Sequence, residues 1–171
     1  MKPGGNSSRE SPRPRDITMD SEIHDITIRE AAAEDTHSVT ALITQLAAAC
    51  GETTPVTDVY VRDYLATPGN KVLLAESRGQ VVGLLSYSVR RDLYHAAGSC
   101  LIDELVVRDD ARGRGVGSAL VRELLARMEA IGCAEVSVTV LPCNAGAIRF
   151  YRAHGLTDEA VFLEKHFRKP E

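Results

Sequence analysis

One stretch of sequence decides the fold: Val106-Val107-Arg108-Asp109-Asp110-Ala111-Arg112-Gly113-Arg114-Gly115-Val116-Gly117-Ser118. It starts at the end of an apolar strand, passes through alternating glycines and enters a helix with an apolar stripe. Glycines let the backbone approach a ligand closely, and successive N–H groups at a helix start point outward together. The helix N-terminus carries a partial positive charge, to which Arg112 and Arg114 add full charges. The stretch therefore predicts a binding site for a phosphate or pyrophosphate group.

Two other kinds of phosphate-binding loop fit this stretch less well. A Walker loop is excluded, because Gly-Lys-Ser and Gly-Lys-Thr occur nowhere in the chain. A dinucleotide fingerprint nearly matches at Gly113, Gly115 and Ser118, and Glu135 follows at about the expected distance. However, Glu135 begins its predicted strand instead of ending it, the loop is basic, and no second mononucleotide-binding half fits in the chain. A plain strand-to-helix turn would need neither two arginines nor alternating glycines.

Hydrophobic periodicity on both sides of the loop predicts alternating strands and helices. The predicted strands cover residues 26–29, 71–76, 80–89, 99–107, 135–140 and 161–167. The predicted helices cover residues 36–50, 57–66, 116–131 and 144–154, and residues 90–97 are predicted to form a loop. Asn144 is predicted to cap the last of these helices. This order predicts a single α/β domain with a central twisted mixed sheet and helices on both faces. The strands on either side of the long helix should be parallel and joined by a right-handed crossover.

Composition and charge fit one globular domain without a nucleic-acid or membrane partner. The 171 residues are 44% hydrophobic, which suffices for one core but not for a second full domain. The net charge of −4 argues against a general basic surface for nucleic acid. No apolar run approaches the roughly 18 residues of a membrane span, and no signal-peptide core is present. We expect a cytoplasmic protein with reduced, mostly buried thiols at Cys50, Cys100, Cys133 and Cys143.

The N-terminal residues 1–21 differ in composition from the rest of the chain. They are rich in charged residues, Pro, Gly and Ser and contain few apolar residues. Such a composition predicts a disordered leader, because too little apolar surface is available to offset the entropy of ordering. Residues 22–171 are then expected to form the single folded domain, with its first strand at Ile26.

Further landmarks follow the glycine-rich loop in a fixed order. Arg112, Gly115 and Gly117 match the pattern R/Q-x-x-G-x-G/A. After the next predicted strand come Asn144, Ala147, the aromatic pair Phe150-Tyr151, and His154-Gly155-Leu156. In this order and on these elements, the residues resemble the GNAT superfamily of N-acetyltransferases over roughly residues 26–167. Leu156 departs from the pattern, since the family usually has Phe there.

The resemblance implies acetyl-CoA as the co-substrate, no metal, and a V-shaped cleft between the strand ending at Val107 and the strand ending at Val140. In the family, the strand before the loop bonds to the pantetheine arm through main-chain groups, here those of Leu105 and Val107. These two residues lie two apart and so share an edge orientation. One such N–H would also face the thioester carbonyl. The expected coenzyme contacts are Leu105, Val106, Val107, Arg112, Gly113, Arg114, Gly115, Val116, Gly117, Ser118, Asn144, Ala147 and Tyr151.

Acyl transfer to an amine needs a proton acceptor, a contact for the oxyanion and a proton donor for the leaving thiolate. By resemblance Tyr151 is the expected donor, although a packing role stays open. Strand alternation sends Asp103 and Glu104 to opposite faces of the sheet. Asp103 is the expected base because it has the parity of Leu105 and Val107, and Glu104 is the second choice. A water chain or His95 stays open as the base.

The resemblance implies an enzyme that transfers an acetyl group from acetyl-CoA to a primary amine by direct attack in a ternary complex. The acceptor is not readable, because residues 50–66 and 90–97, which set it in the family, carry no recognisable motif. Small amines and protein amines both stay open, and so does a homodimer. A different class of function is a coenzyme A-binding sensor or partner-binding module without turnover. Tyr151 and the acidic pair Asp103-Glu104 argue against such a module.

Overall fold

The computed structural model describes residues 25–165 and Phe167, and the predicted leader lies outside them. The strands are β1 (Ile26–Glu30), β2 (Asn70–Ser77), β3 (Gln80–Asp92), β4 (Ala97–Val107) and β5 (Cys133–Val138). The helices are α1 (Thr36–Ala49), α2 (Asp58–Ala66), α3 (Val116–Ala130) and α4 (Ala145–Ala153). Two short 3-10 turns, Ala33–Asp35 and Asp109–Ala111, precede α1 and the glycine-rich loop.

The five strands form one open mixed sheet in the order β1-β2-β3-β4-β5. The first four strands pair antiparallel, whereas β5 pairs parallel to β4. A parallel neighbour requires a crossover, and α3 supplies it between β4 and β5. The predicted α/β architecture and the parallel pair are therefore confirmed.

Two predicted boundaries were wrong. The loop expected at residues 90–97 is only a short turn, because β3 continues to Asp92, which pairs with Ala97 of β4. Arg90 and Arg91 are exposed at the end of β3, where a solvent-facing hairpin accepts charged side chains. The strand expected at 135–140 starts at Cys133 and ends at Val138, so the cleft opens two residues before Val140.

The sixth strand, predicted at residues 161–167, is absent from the described residues. Residues 161–165 have no regular secondary structure. The alternation of apolar residues there suits a strand, but a strand also needs a neighbour for its hydrogen bonds. No described segment of the chain pairs with the outer edge of β5.

The sheet separates two hydrophobic cores. The first core lies under α3 and α4 and includes Leu73 and Leu85 of the sheet. The second core lies under α1 and α2 and includes Leu74 and Leu84. Neighbouring residues in β2 and β3 thus face opposite cores, as strand alternation requires. Helices cover both faces, in agreement with the prediction.

Gly83 of β3 sets how closely the start of α3 packs on the sheet. A Cβ at this position would lie 2.8 Å from Val116 Cγ1 and 3.3 Å from Leu120 Cδ1. We expect Gly83→Ala to push the first turn of α3 off the sheet and lower the free energy of unfolding by about 1–3 kcal/mol. Urea denaturation measures this loss.

Gly98→Ala is the matched control for this prediction. Gly98 is also a strand glycine, but its added Cβ would meet Cys133 Sγ and Val89 Cγ1 at an ordinary 3.6 Å. Its unfolding midpoint should stay near that of the native protein. Equal losses in the two variants would contradict a special close approach at Gly83.

The four cysteines are free thiols, but only Cys100 is buried, Cys133 is half-buried, and Cys50 and Cys143 are exposed. The prediction of mostly buried thiols was therefore wrong for Cys50, which follows α1, and for Cys143, which precedes α4. None of the helices in the described part of the chain is long and apolar enough to cross a membrane.

Candidate functional site

The glycine-rich loop presents an array of backbone donors. Gly113 and Gly115 have φ values of +74° and +80°, and α3 begins directly afterwards at Val116. The first helical hydrogen bond runs from Ala119 N–H to Gly115 O at 2.9 Å. Within the described residues, none of the six N–H groups from Gly113 to Ser118 has a hydrogen-bond partner. Six adjacent free donors at a helix N-terminus are the groups that a phosphate or pyrophosphate needs, so the predicted binding site has suitable donors.

The two loop arginines differ in their partners. Arg112 is exposed and forms an ion pair with Asp109 at 2.9 Å. Arg114 is half-buried and takes part in no ion pair among the described residues. Asp110 is held by Arg108 through two hydrogen bonds of 2.6 and 3.0 Å, and the charge of Arg114 acts on its carboxylate without a direct ion pair. The loop thus carries a positive charge next to its free donors.

A groove of about 480 Å³ continues from the loop along α3. It is lined by Gly115, Ser118, Ala119, Arg122, Glu123 and Ile26. Arg122 follows Ser118 by one helical turn and so faces the same side of α3. The groove gives a ligand bound at the loop room to extend beyond the phosphate site.

One half of β4 has an open edge, which we define as residues 103–107. The pairing between β4 and β5 ends at Ile102 and Val138, so β4 continues alone beyond Ile102 on that side. Arg108 N–H donates to Val82 O of β3 at 2.9 Å. Because main-chain groups alternate in direction along a strand, those of Leu105 and Val107 point to the open edge. This agrees with their predicted shared orientation.

Gln45 of α1 reaches this open edge. Its Nε2 donates to Val107 O at 3.1 Å and lies 3.4 Å from Asp109 Oδ1. Arg112 Nε also lies 3.4 Å from Val107 O. The carbonyl of Val107 is therefore occupied, which leaves its N–H and the groups of Leu105 for a ligand. Sequence reasoning missed Gln45, since nothing in the sequence relates α1 to the end of β4.

A β-bulge changes the facing of the two candidate acids. Glu104 pairs with Ser86 of β3 and Ile102 pairs with Tyr87, so Asp103 is an extra residue without a partner. Leu105 packs against the first core, as Ile102 does, although the two residues differ in parity. The bulge therefore turns Asp103 and Glu104 to the same face, that of α1 and α2. The prediction that they face opposite sides was wrong, because alternation holds only in an uninterrupted ladder.

The two carboxylates differ in their electrostatic surroundings. Ser86 Oγ donates to the Glu104 carboxylate and accepts the Glu104 N–H at 3.0 Å, so Glu104 is fixed to the sheet. The pKa of Asp103 is raised, first by burial and then by the charge of Glu104, while a hydrogen bond from Ser88 opposes the shift. A carboxylate with a raised pKa is the stronger base. The raised pKa favours Asp103 as a proton acceptor, whereas Glu104 is held by Ser86.

Tyr64 of α2 is a further residue at this site that sequence reasoning missed. Its pKa is raised to about 12 by burial and then by the negative charges of Glu104 and Asp103. The phenol therefore faces both acids and lines the same side of the sheet. It lies in the 50–66 segment, which was expected to set the acceptor, but a single tyrosine in an amphipathic helix gave no signal of its own.

Tyr151 of α4 lies on the other face of the sheet, in the first core. Its ring contacts Phe150 edge-on at 5.2 Å, and burial raises its pKa to about 12. Its hydroxyl forms no hydrogen bond with the described residues. Every fully buried polar side-chain atom among those residues has a hydrogen-bond partner, so the Tyr151 hydroxyl is not fully buried and reaches solvent, although its ring is buried. Such an oxygen is available to a ligand in the cleft.

Asn144 caps α4, since its side-chain oxygen accepts the Ala147 N–H at 3.0 Å. The predicted capping role is confirmed, whereas a coenzyme contact of Asn144 or Ala147 stays a prediction. Phe150 lies 3.5 Å from the position that a Cβ on Gly117 would take. α4 is thereby packed against the first turn of α3, beside the donor array.

His95 lies far from the open edge. It is in the turn before β4, about 20 Å of strand from Asp103 at the usual rise per residue. Its Nδ1 lies 3.3 Å from Asp92 Oδ2, and the two residues and Glu135 have ligand atoms within 4.8 Å of one another. Asp92 Oδ1 accepts the Tyr94 N–H at 2.7 Å, and Glu135 accepts from Ser99 Oγ at 2.9 Å. This position removes His95 as a candidate base.

The donor loop, the open edge and Tyr151 all lie within residues 36–156, which match the profile of the acetyltransferase (GNAT) family. The chain belongs to this family. The resemblance seen in the loop, Asn144 and the Phe150-Tyr151 pair is thereby confirmed. GNAT enzymes use acetyl-CoA as their co-substrate.

Relatives with established names agree with this membership. An aminoalkylphosphonate N-acetyltransferase of Salmonella typhimurium is 33% identical over 143 residues, which cover 82% of this chain and 87% of that protein. An L-2,4-diaminobutyric acid acetyltransferase of Nocardia farcinica is 28% identical over 119 residues, 63% of this chain and 58% of that protein. The chain is therefore an N-acetyltransferase.

Solved structures share the fold. The crystal structure of an aminoglycoside acetyltransferase from an uncultured soil metagenomic sample superposes with a TM-score of 0.74, covering 86% of this chain and 98% of that one. The two sequences are 20% identical, so this likeness bears on the fold alone.

Proposed function

We propose that this GNAT enzyme binds acetyl-CoA along the open edge of β4 and transfers the acetyl group to a primary amine by direct attack in a ternary complex. The observation that carries the proposal is the array of six free N–H groups from Gly113 to Ser118 next to an unpaired strand edge. The array suits the pyrophosphate. The edge suits the amide-bearing pantetheine arm, which can bond to the main chain as an added strand does.

Residues on the two faces of the sheet carry out different proton transfers at the open edge. The ammonium of the acceptor gives a proton to Asp103 on the α1 and α2 face, and the free amine attacks the thioester carbonyl carbon. A main-chain N–H at Leu105 or Val107 stabilises the oxyanion. When the C–S bond breaks, Tyr151 donates its proton to the thiolate from the opposite face. The nitrogen gives its second proton to solvent, Asp103 releases its proton to solvent, and solvent reprotonates Tyr151. One catalytic group on each face avoids competition between acid and base.

The acceptor that fits this account is a small amine. The two named relatives above act, by their names, on an aminoalkylphosphonate and on diaminobutyric acid, both of which are small amines. In this chain the acceptor would lie beside Asp103 and Glu104, whose negative charges favour an ammonium group, and beside the neutral phenol of Tyr64.

Release of free coenzyme A thiol with a panel of amines tests the proposed function. The panel contains an aminoalkylphosphonate, 2,4-diaminobutyrate, an aminoglycoside and a lysine peptide, and mass spectrometry records the acetylated product. We expect amine-dependent thiol release with at least one small amine. Binding of acetyl-CoA without turnover on any amine would instead support a sensor or partner-binding module.

We expect Tyr151→Phe to lower turnover by about tenfold to a hundredfold. This lies at or below the low end of the roughly 10²–10⁴-fold range of positioned proton transfer, because a thiolate is a good leaving group. The loss should stay constant with pH up to about 12, since the raised pKa keeps the phenol protonated over that range. Affinity for acetyl-CoA should not change. Steady-state rates across pH and calorimetric titration with acetyl-CoA measure these effects.

Tyr87→Phe is the matched control, because Tyr87 is also buried in the first core and burial raises its pKa too. Its activity should stay near that of the native enzyme. If Tyr151→Phe is as active as Tyr87→Phe, the hydroxyl of Tyr151 only packs and the thiolate leaves unassisted.

A further inference from the structure

One part of the sheet face that α1 and α2 cover elsewhere is open beyond the two candidate acids. Leu101 of β4 faces this side, because its neighbours Cys100 and Ile102 face the first core. It has a strand on either side, yet its side chain is 37% exposed. It pairs with Ser88, whose hydrogen bond to Asp103 puts the candidate base at the border of the open part. An acceptor amine at Asp103 therefore has room to extend over this part of the sheet.

Arg90 of β3 lies in this open part. Val89 packs against the first core, so Ser88 and Arg90 on either side of it face the other way. Two residues along a strand are about 6.6–6.8 Å apart, so Arg90 follows Ser88 at a distance that a short ligand can span. We define the open floor as Ser88, Arg90 and Leu101. Arg91, the next residue, faces the first-core side of the sheet.

The guanidinium group of Arg90 is unused by the protein itself. Arg90 is exposed, and within residues 25–165 it takes part in no hydrogen bond or ion pair. Two carboxylates at this end of the sheet have other partners. Asp92 Oδ2 lies 3.3 Å from His95 Nδ1, and Glu135 accepts a hydrogen bond from Ser99 Oγ at 2.9 Å. The open floor thus presents a positive charge that no described carboxylate contacts.

We propose that Arg90 binds an anionic group of the acceptor, while Asp103 and Glu104 hold its ammonium end. The acceptor is then a short amino acid or aminophosphonate with its two charges several atoms apart. This inference rests on the proposed acetyl transfer, because it names the substrate class of the same site. The spacing of Ser88 and Arg90 separates the two anchors by about 7 Å along the strand. An extended chain of three or four methylene groups puts the nitrogen about 5–6 Å from the acid carbon, which leaves room for the two ion pairs.

The charge of Arg90 separates this class of acceptor from polycationic amines. An arginine binds a carboxylate or a phosphonate through two parallel charge-assisted hydrogen bonds, which also fix the orientation of the ligand. A second positive charge on the acceptor would instead meet a like charge at this position. An uncharged amine can still reach Asp103, but it lacks the second anchor. Arg90 therefore acts on the choice and orientation of the acceptor and not on the chemical step.

Acetyl transfer to 4-aminobutyrate and to 3-aminopropylphosphonate, each compared with the uncharged 4-aminobutanamide, tests this role. In the native protein kcat/KM should be higher for the two acids by about tenfold, as expected for one charge-assisted pair at an exposed position. Arg90→Gln should remove this preference through KM and leave the rate with the amide unchanged, and Arg90→Lys should keep part of the preference. Arg91→Gln is the matched control, since Arg91 is also exposed and without a partner in the described residues but faces the other side. It should keep the full preference.

Calorimetric titration of the protein with coenzyme A and 4-aminobutyrate separates a failure of this subsite from a failure of acetyl transfer. If no amine is acetylated but 4-aminobutyrate binds and Arg90→Gln loses that binding, the subsite stands and the proposed transfer falls. A loss confined to one of the two acids supports the subsite and identifies the group it binds as carboxylate or phosphonate. A native protein that favours 4-aminobutanamide or spermidine over both acids would overturn the inference. So would an Arg90→Gln variant with the same preference as Arg91→Gln.

Discussion

Asp103→Asn is expected to lower turnover by about 10²–10⁴-fold at neutral pH, the range for a positioned proton acceptor. The bulge turns Asp103 toward the face of Tyr64, and burial together with the charge of Glu104 raises its pKa. An amide of the same shape cannot accept the ammonium proton. The loss should shrink as pH rises, because a growing share of the amine is then already deprotonated. Steady-state rates from neutral pH upward measure this.

Glu104→Gln separates the two acids. Glu104 is tied to the sheet by Ser86, so its expected role is to hold charge near the acceptor. Its loss should appear mainly as a higher KM for the amine, with little change in the pH profile. If Glu104→Gln removes more activity than Asp103→Asn, the roles are reversed. If both variants stay active, a water chain is the base.

Gly115→Glu is expected to abolish stabilisation by acetyl-CoA. At a hundredfold excess over Kd, the native protein should gain about 2.7 kcal/mol from the ligand. The variant carboxylate would occupy the donor array and repel the pyrophosphate. Gly115 has φ +80° and open space around a Cβ. The substitution should therefore lower the free energy of unfolding only by the strain of a left-handed backbone, about 1–2 kcal/mol. Thermal unfolding with and without ligand measures both effects.

Gly51→Glu is the control for this experiment. Gly51 has φ +75°, also with open space around a Cβ, and follows α1 far from the loop in sequence. It should show the same loss of stability in the absence of ligand but keep the full ligand-induced shift. A shift that survives in Gly115→Glu would place the coenzyme outside the loop.

The sequence was most informative where local chemistry and tertiary role coincide. The glycine-rich loop is both a backbone requirement and a ligand site, so its residues predicted the donor array and the start of α3. Asn144 was likewise predicted as a cap because capping depends on residues within one turn. The order of the strands and helices predicted a sheet covered by helices on both faces.

Features that depend on pairing between distant strands were not predictable. The bulge at Asp103 depends on the register of β3 against β4. Asp103 and Glu104 do not themselves determine that register. The contacts of Tyr64 and Gln45 depend on how the first two helices lie over the sheet. The segment predicted as a strand at 161–167 has the expected side chains, but strand formation also needs a neighbouring edge, and the described residues 161–165 form no strand.

The crystal structure of the protein with bound acetyl-CoA tests the central claim most directly. We expect pyrophosphate oxygens within hydrogen-bond distance of the N–H groups of residues 113–118, and the pantetheine arm along Leu105 and Val107. The thioester should lie between Asp103 on one face and Tyr151 on the other. A coenzyme bound elsewhere, or a thioester out of reach of both residues, would contradict the account.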